Sequence, residues 1–212
     1  MSRLALAGLA ALLVTAGALA HDGVEHRSAA EALEHLSQGV DDGIAEPFPA
    51  KLGGAYSLTD QHGRPRSQRD PEGRAQLVFF GYATCRAICS VALPRMAEIA
   101  DAAAAAGLAV RPVLITVDPA RDTPEAMAPV LAELHPDAIG LTGSEAELEA
   151  VRRLFQVERK LVFEDPFEGP VYAHGSFIYL MSAEGEFLTL MPPIVAPDHG
   201  AEVVAKYLAA GD

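Results

Sequence analysis

Two cysteines, Cys85 and Cys89, stand four residues apart in Gly81-Tyr82-Ala83-Thr84-Cys85-Arg86-Ala87-Ile88-Cys89, and the chain holds no others. They follow the apolar run Leu77-Val78-Phe79-Phe80. A strand that feeds a helix start carries both sulfurs out of one end of a sheet. Helical spacing of four sets them on one face, close enough for a disulfide or for one soft metal ion. A thiol at a helix N-terminus faces the positive end of the helix dipole, which lowers its pKa and favours the thiolate. Thiolates are nucleophiles and also ligands for soft ions such as Cu(I). The pair is therefore a candidate redox-active dithiol and a candidate metal site. As a structural staple it is poor, because a loop this short gains little from closure.

Two thiolates leave most metals under-coordinated, so a third ligand is expected from elsewhere. Seven histidines are available: His21, His26, His35, His62, His135, His174 and His199. His62 reads as a turn residue and His135, before Pro136, as a helix C-cap. His199 falls in the first turn of the last helix. His174 differs, because Val171-Tyr172-Ala173-His174-Gly175-Ser176 reads as a small-residue loop entering a hairpin strand. If that strand lies beside the cysteine-bearing one, the loop can face the sulfurs. Ligand and ordinary histidine both stay open for His174 on spacing alone. Asp118, Arg121 and Asp122 follow the next strand and read as a helix cap with a salt bridge, or as a partner-facing loop at the same sheet end.

The elements that must position these groups are legible in the pattern. Ala55 to Thr59 alternates and Asp60-Gln61-His62-Gly63 is a turn, so a hairpin opens the domain. Gln76 to Tyr82 is a buried strand, and a helix runs from Cys85 to about Ala106 with a bend at Pro94. Ala109 to Val117 is a second strand. Asp122-Thr123-Pro124-Glu125 starts a helix that Pro129 should disturb. Ile139 to Thr142 is a short strand, and Ser144-Glu145-Ala146-Glu147 is a capping box opening a helix to about Phe155. Ser176–Met181 and Glu186–Met191 flank a second hairpin turn, and Asp198 caps a last helix. Strands alternating with helices, then a hairpin and a helix, give an α/β domain with helices on both faces of a central sheet. A cysteine pair at the carboxyl end of the first core strand is the thioredoxin-type placement.

The charge of −13 argues against nucleic-acid binding through bulk electrostatics. Residues 1–20 read as a signal peptide: Arg3 supplies the positive end, Leu4 to Ala16 is apolar, and Ala18-Leu19-Ala20 fits the cleavage pattern. Cleavage would leave a chain in the bacterial periplasm, soluble and starting at His21; without it the segment is an inner-membrane anchor. An exported chain meets an oxidising compartment. A free amine at His21, helped by His26 or His35, could chelate Cu(II). Residues 21–50 read as a polar segment and linker with a short helix over Ala29–Leu36, and 51–212 as the main domain.

Four segments, taken together, resemble the Sco/SenC family of thioredoxin-like copper proteins. They are Phe79 to Cys89, Val117 to Glu125, His135 to Gly143, and His174 to Met181. The resemblance implies a thioredoxin-like fold with a central mixed sheet, flanking helices and an extra N-terminal hairpin. It implies copper, as Cu(I) or Cu(II), on Cys85, Cys89 and His174. It also implies a role in assembling the copper centre of a respiratory oxidase, as copper donor to the receiving subunit or as reductant of its cysteines. An upstream copper donor or thiol reductant would complete such a cycle. The chain departs from the family pattern in three places. Arg86-Ala87-Ile88 lacks the usual proline and acidic residue, Ser90 replaces a proline, and Ala173 replaces an aspartate whose loss bears on copper affinity.

Three readings follow. A copper-binding assembly factor needs the imidazole; a metal-independent thiol–disulfide oxidoreductase does not. A thiol peroxidase is weakest, because a resolving cysteine four residues away in the same turn is an unusual partner. Zinc would want a fourth protein ligand. Copper retention is expected to depend on redox state, because a disulfide removes two ligands at once.

Overall fold

The computed structural model describes residues 19–21, 24–26, 51–83, 89–166 and 169–209. Two compact units divide the chain, Met1–Glu46 and Pro47–Asp212. In the first, β1 (Leu19–His21) pairs antiparallel with β2 (Val24–His26), His21 opposite Val24. The rest of the segment read as a signal peptide, and the helix expected over Ala29–Leu36, lie outside the described residues. Among those residues no helix is long and apolar enough to cross a membrane.

The second unit is built on a seven-stranded sheet in the order β11-β10-β5-β6-β7-β3-β4. The strands are β3 (Ser57–Asp60), β4 (Pro65–Ser67), β5 (Ala75–Gly81), β6 (Val110–Thr116), β7 (Ile139–Thr142), β10 (Ile178–Met181) and β11 (Phe187–Met191). β5, β6 and β7 run parallel, and β10 joins β5 from the other side, antiparallel. All residues of β5 and β6 are buried, Gln76, Arg111 and Thr116 included, and their centres, Leu77–Phe80 and Val113–Ile115, are continuous apolar stretches.

Successive side chains of β5 enter opposite layers. Leu77 and Phe79 join α1 (Cys89–Ala105), α2 (Pro124–Leu134) and α4 (Pro197–Ala209) in one apolar cluster. Val78 and Phe80 join α3 (Glu145–Leu154) and Phe155 in the other. Helices thus cover both faces, and the mixed sheet has the thioredoxin-like arrangement with the expected N-terminal hairpin, β3–β4.

Local signals set the helix ends. Ser144 and Glu147 form the reciprocal capping box of α3. Thr123, not Asp122, caps α2: its side chain accepts the Ala126 N–H, and Pro124 occupies the first turn. α2 runs unbroken through Pro129, contrary to the expected irregularity. The proline removes one internal hydrogen bond, but fully buried Met127 and Leu131 fasten the helix to the sheet on either side of it. α1 likewise continues through Pro94. Asp198 lies within the first turn of α4 and does not cap it.

One element has no counterpart in the sequence reading. β8 (Lys160–Asp165) and β9 (Gly169–Ala173) form a separate antiparallel ribbon. Val171-Tyr172-Ala173, read as a loop, is strand. The ribbon is held from outside rather than by a core. Arg159 lies 3.8 Å above the Tyr172 ring, and its Nη1 donates to Glu145 Oε1 at 3.1 Å. Glu145 also accepts from the buried Arg152 at 2.6 Å.

Candidate metal centre

β5 and β6 end side by side, Gly81 opposite Thr116, and the two loops that follow are tied to each other. The Val117 N–H donates to Gly81 O at 2.7 Å. Asp122, wholly buried, accepts the Ala83 N–H at 2.9 Å and the Thr116 hydroxyl at 2.8 Å, both on Oδ2. Ala83 is two residues before Cys85, so this carboxylate holds the backbone just ahead of the cysteine pair from 39 residues away. Burial pushes the Asp122 pKa up; the Ala83 N–H and the Thr116 O–H pull it down without cancelling that, and the nearby Asp118 charge adds to the rise. Among the described residues its Oδ1 has no hydrogen-bond partner.

His174 arrives at the same strand end from β9. Its ring stands edge-on to Phe79, with centroids 5.8 Å apart, and to Tyr82, 6.0 Å away. Nδ1 lies 2.9 Å from Gly175 O. A carbonyl only accepts, so Nδ1 carries the proton and donates. In the neutral ring that leaves the lone pair on Nε2, the tautomer that ligates a metal through Nε2. β10, next after His174, pairs with β5 through Tyr179 and Val78, and this pairing returns the histidine to the cysteine-bearing strand.

Arg121 lies beside these groups. Its Nε is bound to the Asp118 carboxylate, its Nη2 donates to Pro170 O at 2.6 Å, and its Cζ sits 4.9 Å from the Tyr82 ring centre. Burial works against the charge on Arg121, but hydrogen bonding and charge from Asp118, with Tyr82 behind, outweigh it and raise the guanidinium pKa.

A family model described as SCO1/SenC matches residues 44–209. The chain belongs to the SCO1/SenC family. An SCO2-like protein of Rickettsia conorii is 38% identical over 140 residues, covering 65% of this chain and 68% of its own. The crystal structure of Arabidopsis thaliana ScoI with copper bound superposes with a TM-score of 0.71 at 31% identity, over 75% of this chain and 99% of that one. Bradyrhizobium japonicum ScoI with copper bound gives 0.66 at 31% identity, over 74% and 99%.

Within this SCO1/SenC chain, His174 stands at the end of β5 as the hairpin argument required. Cys85 lies outside the described residues; Cys89 is the first residue of α1, its side chain likewise outside them. The other histidines of the second unit keep the plainer roles read for them. His62 is in the β3–β4 turn. His135 caps α2 and accepts the Asp137 N–H on Nδ1 at 3.0 Å. His199 is exposed in the first turn of α4, 3.2 Å from Glu202.

Asp118 and Arg121 form the expected salt bridge, with Asp118 almost fully buried. Asp122, half of a cap reading in the sequence, instead reaches across to Ala83. Phe79 and Tyr82 enter the sequence reading only as strand and motif residues, with no partner in His174. The signal for Tyr82 is its place just past the buried Leu77–Phe80 run, where a phenol hydroxyl can leave the core.

Proposed function

We propose that Cys85, Cys89 and His174 form a copper site, and that the protein is an assembly factor serving the copper centre of a respiratory terminal oxidase. It would deliver copper to the receiving subunit or reduce that subunit's cysteines. The observation that carries the reading is the His174 ring, oriented by its Nδ1–H···O=C bond to Gly175 and set edge-on to Tyr82. Tyr82 precedes Cys85 by three residues, so chain length alone keeps their α-carbons within about 11 Å. Two thiolates and one imidazole suit Cu(I), and the imidazole makes Cu(II) tolerable. Arabidopsis and Bradyrhizobium ScoI carry copper, and BsSco, at 22% identity a likeness of fold alone, is a member of the Sco family of cytochrome c oxidase assembly proteins. The reading goes with export under the Arg3-to-Ala20 leader, into a compartment where the dithiol meets oxidants.

Competition of the reduced protein against a chromophoric Cu(I) chelator tests the ligand set. His174→Ala should weaken binding by about a hundredfold or more, the top of the range that loss of an outer partner costs. Oxidation of Cys85 and Cys89 should release the ion, and the Cu(II) form should show sulfur-to-copper charge transfer. Unchanged affinity in His174→Ala, together with rapid metal-free turnover of a disulfide substrate, would replace this reading by a thiol–disulfide oxidoreductase.

A further inference from the structure

His174 directly follows a two-stranded ribbon in which β8 is almost wholly exposed and β9 only half-buried. A ligand on such an element needs something to hold it, since a site a fraction of an ångström too loose loses affinity. We propose that Arg121 is the positioning residue that fixes His174 against the end of β5, an inference that rests on His174 being a copper ligand.

The guanidinium joins three segments. Through Nε it is bound to Asp118, a rigid base: Asp118 is 1% exposed and its backbone N–H donates to Thr116 Oγ1 at 2.9 Å. The same Thr116 hydroxyl donates to Asp122, which holds Ala83. Through Nη2, Arg121 grips Pro170 O, on β9 four residues before His174. The face of the Tyr82 ring takes the cation, and Tyr82 in turn meets the edge of the His174 ring. Both approaches to the site, the strand leading to Cys85 and the strand leading to His174, thus converge on one side chain. The planar fork is what permits this: Nε and Nη2 point in fixed, different directions while the flat cation covers an aromatic ring. A lysine ammonium can keep the Asp118 pair but cannot span the carboxylate and the Pro170 carbonyl and stack as well.

Arg121→Lys is therefore the informative variant, because it leaves buried Asp118 with a cation and preserves the fold. In the reduced protein it should lower Cu(I) affinity about tenfold, the scale of an outer-shell partner. His174→Ala and the double variant Arg121→Lys/His174→Ala should agree within about twofold, because Arg121 acts through a ring that is no longer there. In the metal-free reduced protein, Arg121→Lys should weaken the nuclear Overhauser contacts between the His174 and Tyr82 rings, while thermal unfolding stays close to that of the parent. Undiminished ring contacts, or a full tenfold loss repeated in the His174→Ala background, would overturn the proposal. If His174→Ala weakens binding and Arg121→Lys does not, the positioning role alone falls. If His174→Ala leaves affinity unchanged, the ligand reading falls and takes this one with it.

Discussion

Replacing Asp122 by Ala and by Asn separates its hydrogen bonds from its charge. The carboxylate is 0% exposed and accepts two donors, the Ala83 N–H and the Thr116 hydroxyl. Alanine leaves both donors buried without an acceptor, at about 1–3 kcal/mol each. Loss of a buried carboxylate returns part of that sum, so a net loss of about 3 kcal/mol is expected at pH 7. That corresponds to a melting point lower by about 6–12 °C for a domain of this size. Asparagine keeps an oxygen able to accept both donors and removes the buried charge, so its loss at pH 7 should stay within about 1 kcal/mol. The pH dependence has a definite sign. A carboxyl whose folded pKa lies above its unfolded value contributes stability that is complete below the unfolded value and is lost as pH rises through the folded one. The parent should therefore lose ground relative to Asp122→Asn as pH climbs from about 4, the ordinary aspartate value, through the raised pKa. Urea unfolding from pH 4 to 7 measures this, and hydrogen exchange at the Ala83 amide, faster only in Asp122→Ala, ties it to the cysteine loop. If asparagine proves as damaging as alanine at pH 7, or if the parent-to-asparagine gap stays constant with pH, the assignment of Asp122 as a buried, charge-strained acceptor is wrong.

Two further outcomes bear on the frame of the domain. Burial raises the Asp60 carboxyl, but the Arg64 N–H and the side chain of Arg66, then the His62 N–H and the Arg64 side chain, outweigh it and hold its pKa at about 2. Asp60→Asn should cost about 2 kcal/mol at pH 7, and the difference from the parent should vanish as pH falls from about 4 through 2; acid unfolding curves that run parallel would contradict this. Gly185 has φ +84°, and a Cβ there would sit 2.5 Å from Gln68 O, whereas Gly63, at φ +75°, has open space around it. Gly185→Ala should cost at least about 2 kcal/mol and Gly63→Ala only about 1, as chemical denaturation will show by unequal midpoints.

Much of the framework was legible because its signals are local. Apolar stretches at their centres marked β5 and β6, Ser144 with Glu147 announced α3, and Ala183-Glu184-Gly185 announced the turn between β10 and β11. The ribbon of β8 and β9 was missed for the opposite reason. Its residues include Val162, Phe163, Val171 and Tyr172, good strand formers, yet Leu161, Val162 and Phe163 are all exposed, so no alternation of apolar and polar positions betrays the strand. Asp122 was misjudged because its place before Thr123-Pro124 imitates a cap, and nothing in that stretch shows that its acceptor faces Ala83 instead.

The sequence by itself determined the dithiol, the strand and helix that flank it, and His174 as a candidate third ligand, since residue type and short-range spacing carry that information. Only the tertiary structure decided that Arg121 reaches Tyr82 and Pro170, and that Asp122 holds Ala83. Two of those contacts use a backbone group, the Pro170 carbonyl and the Ala83 N–H, which nearly every residue possesses, so no side-chain pattern distinguishes the one that is used. They exist because parallel β5 and β6 end level with each other and β10 returns alongside β5, which brings segments dozens of residues apart to one sheet edge.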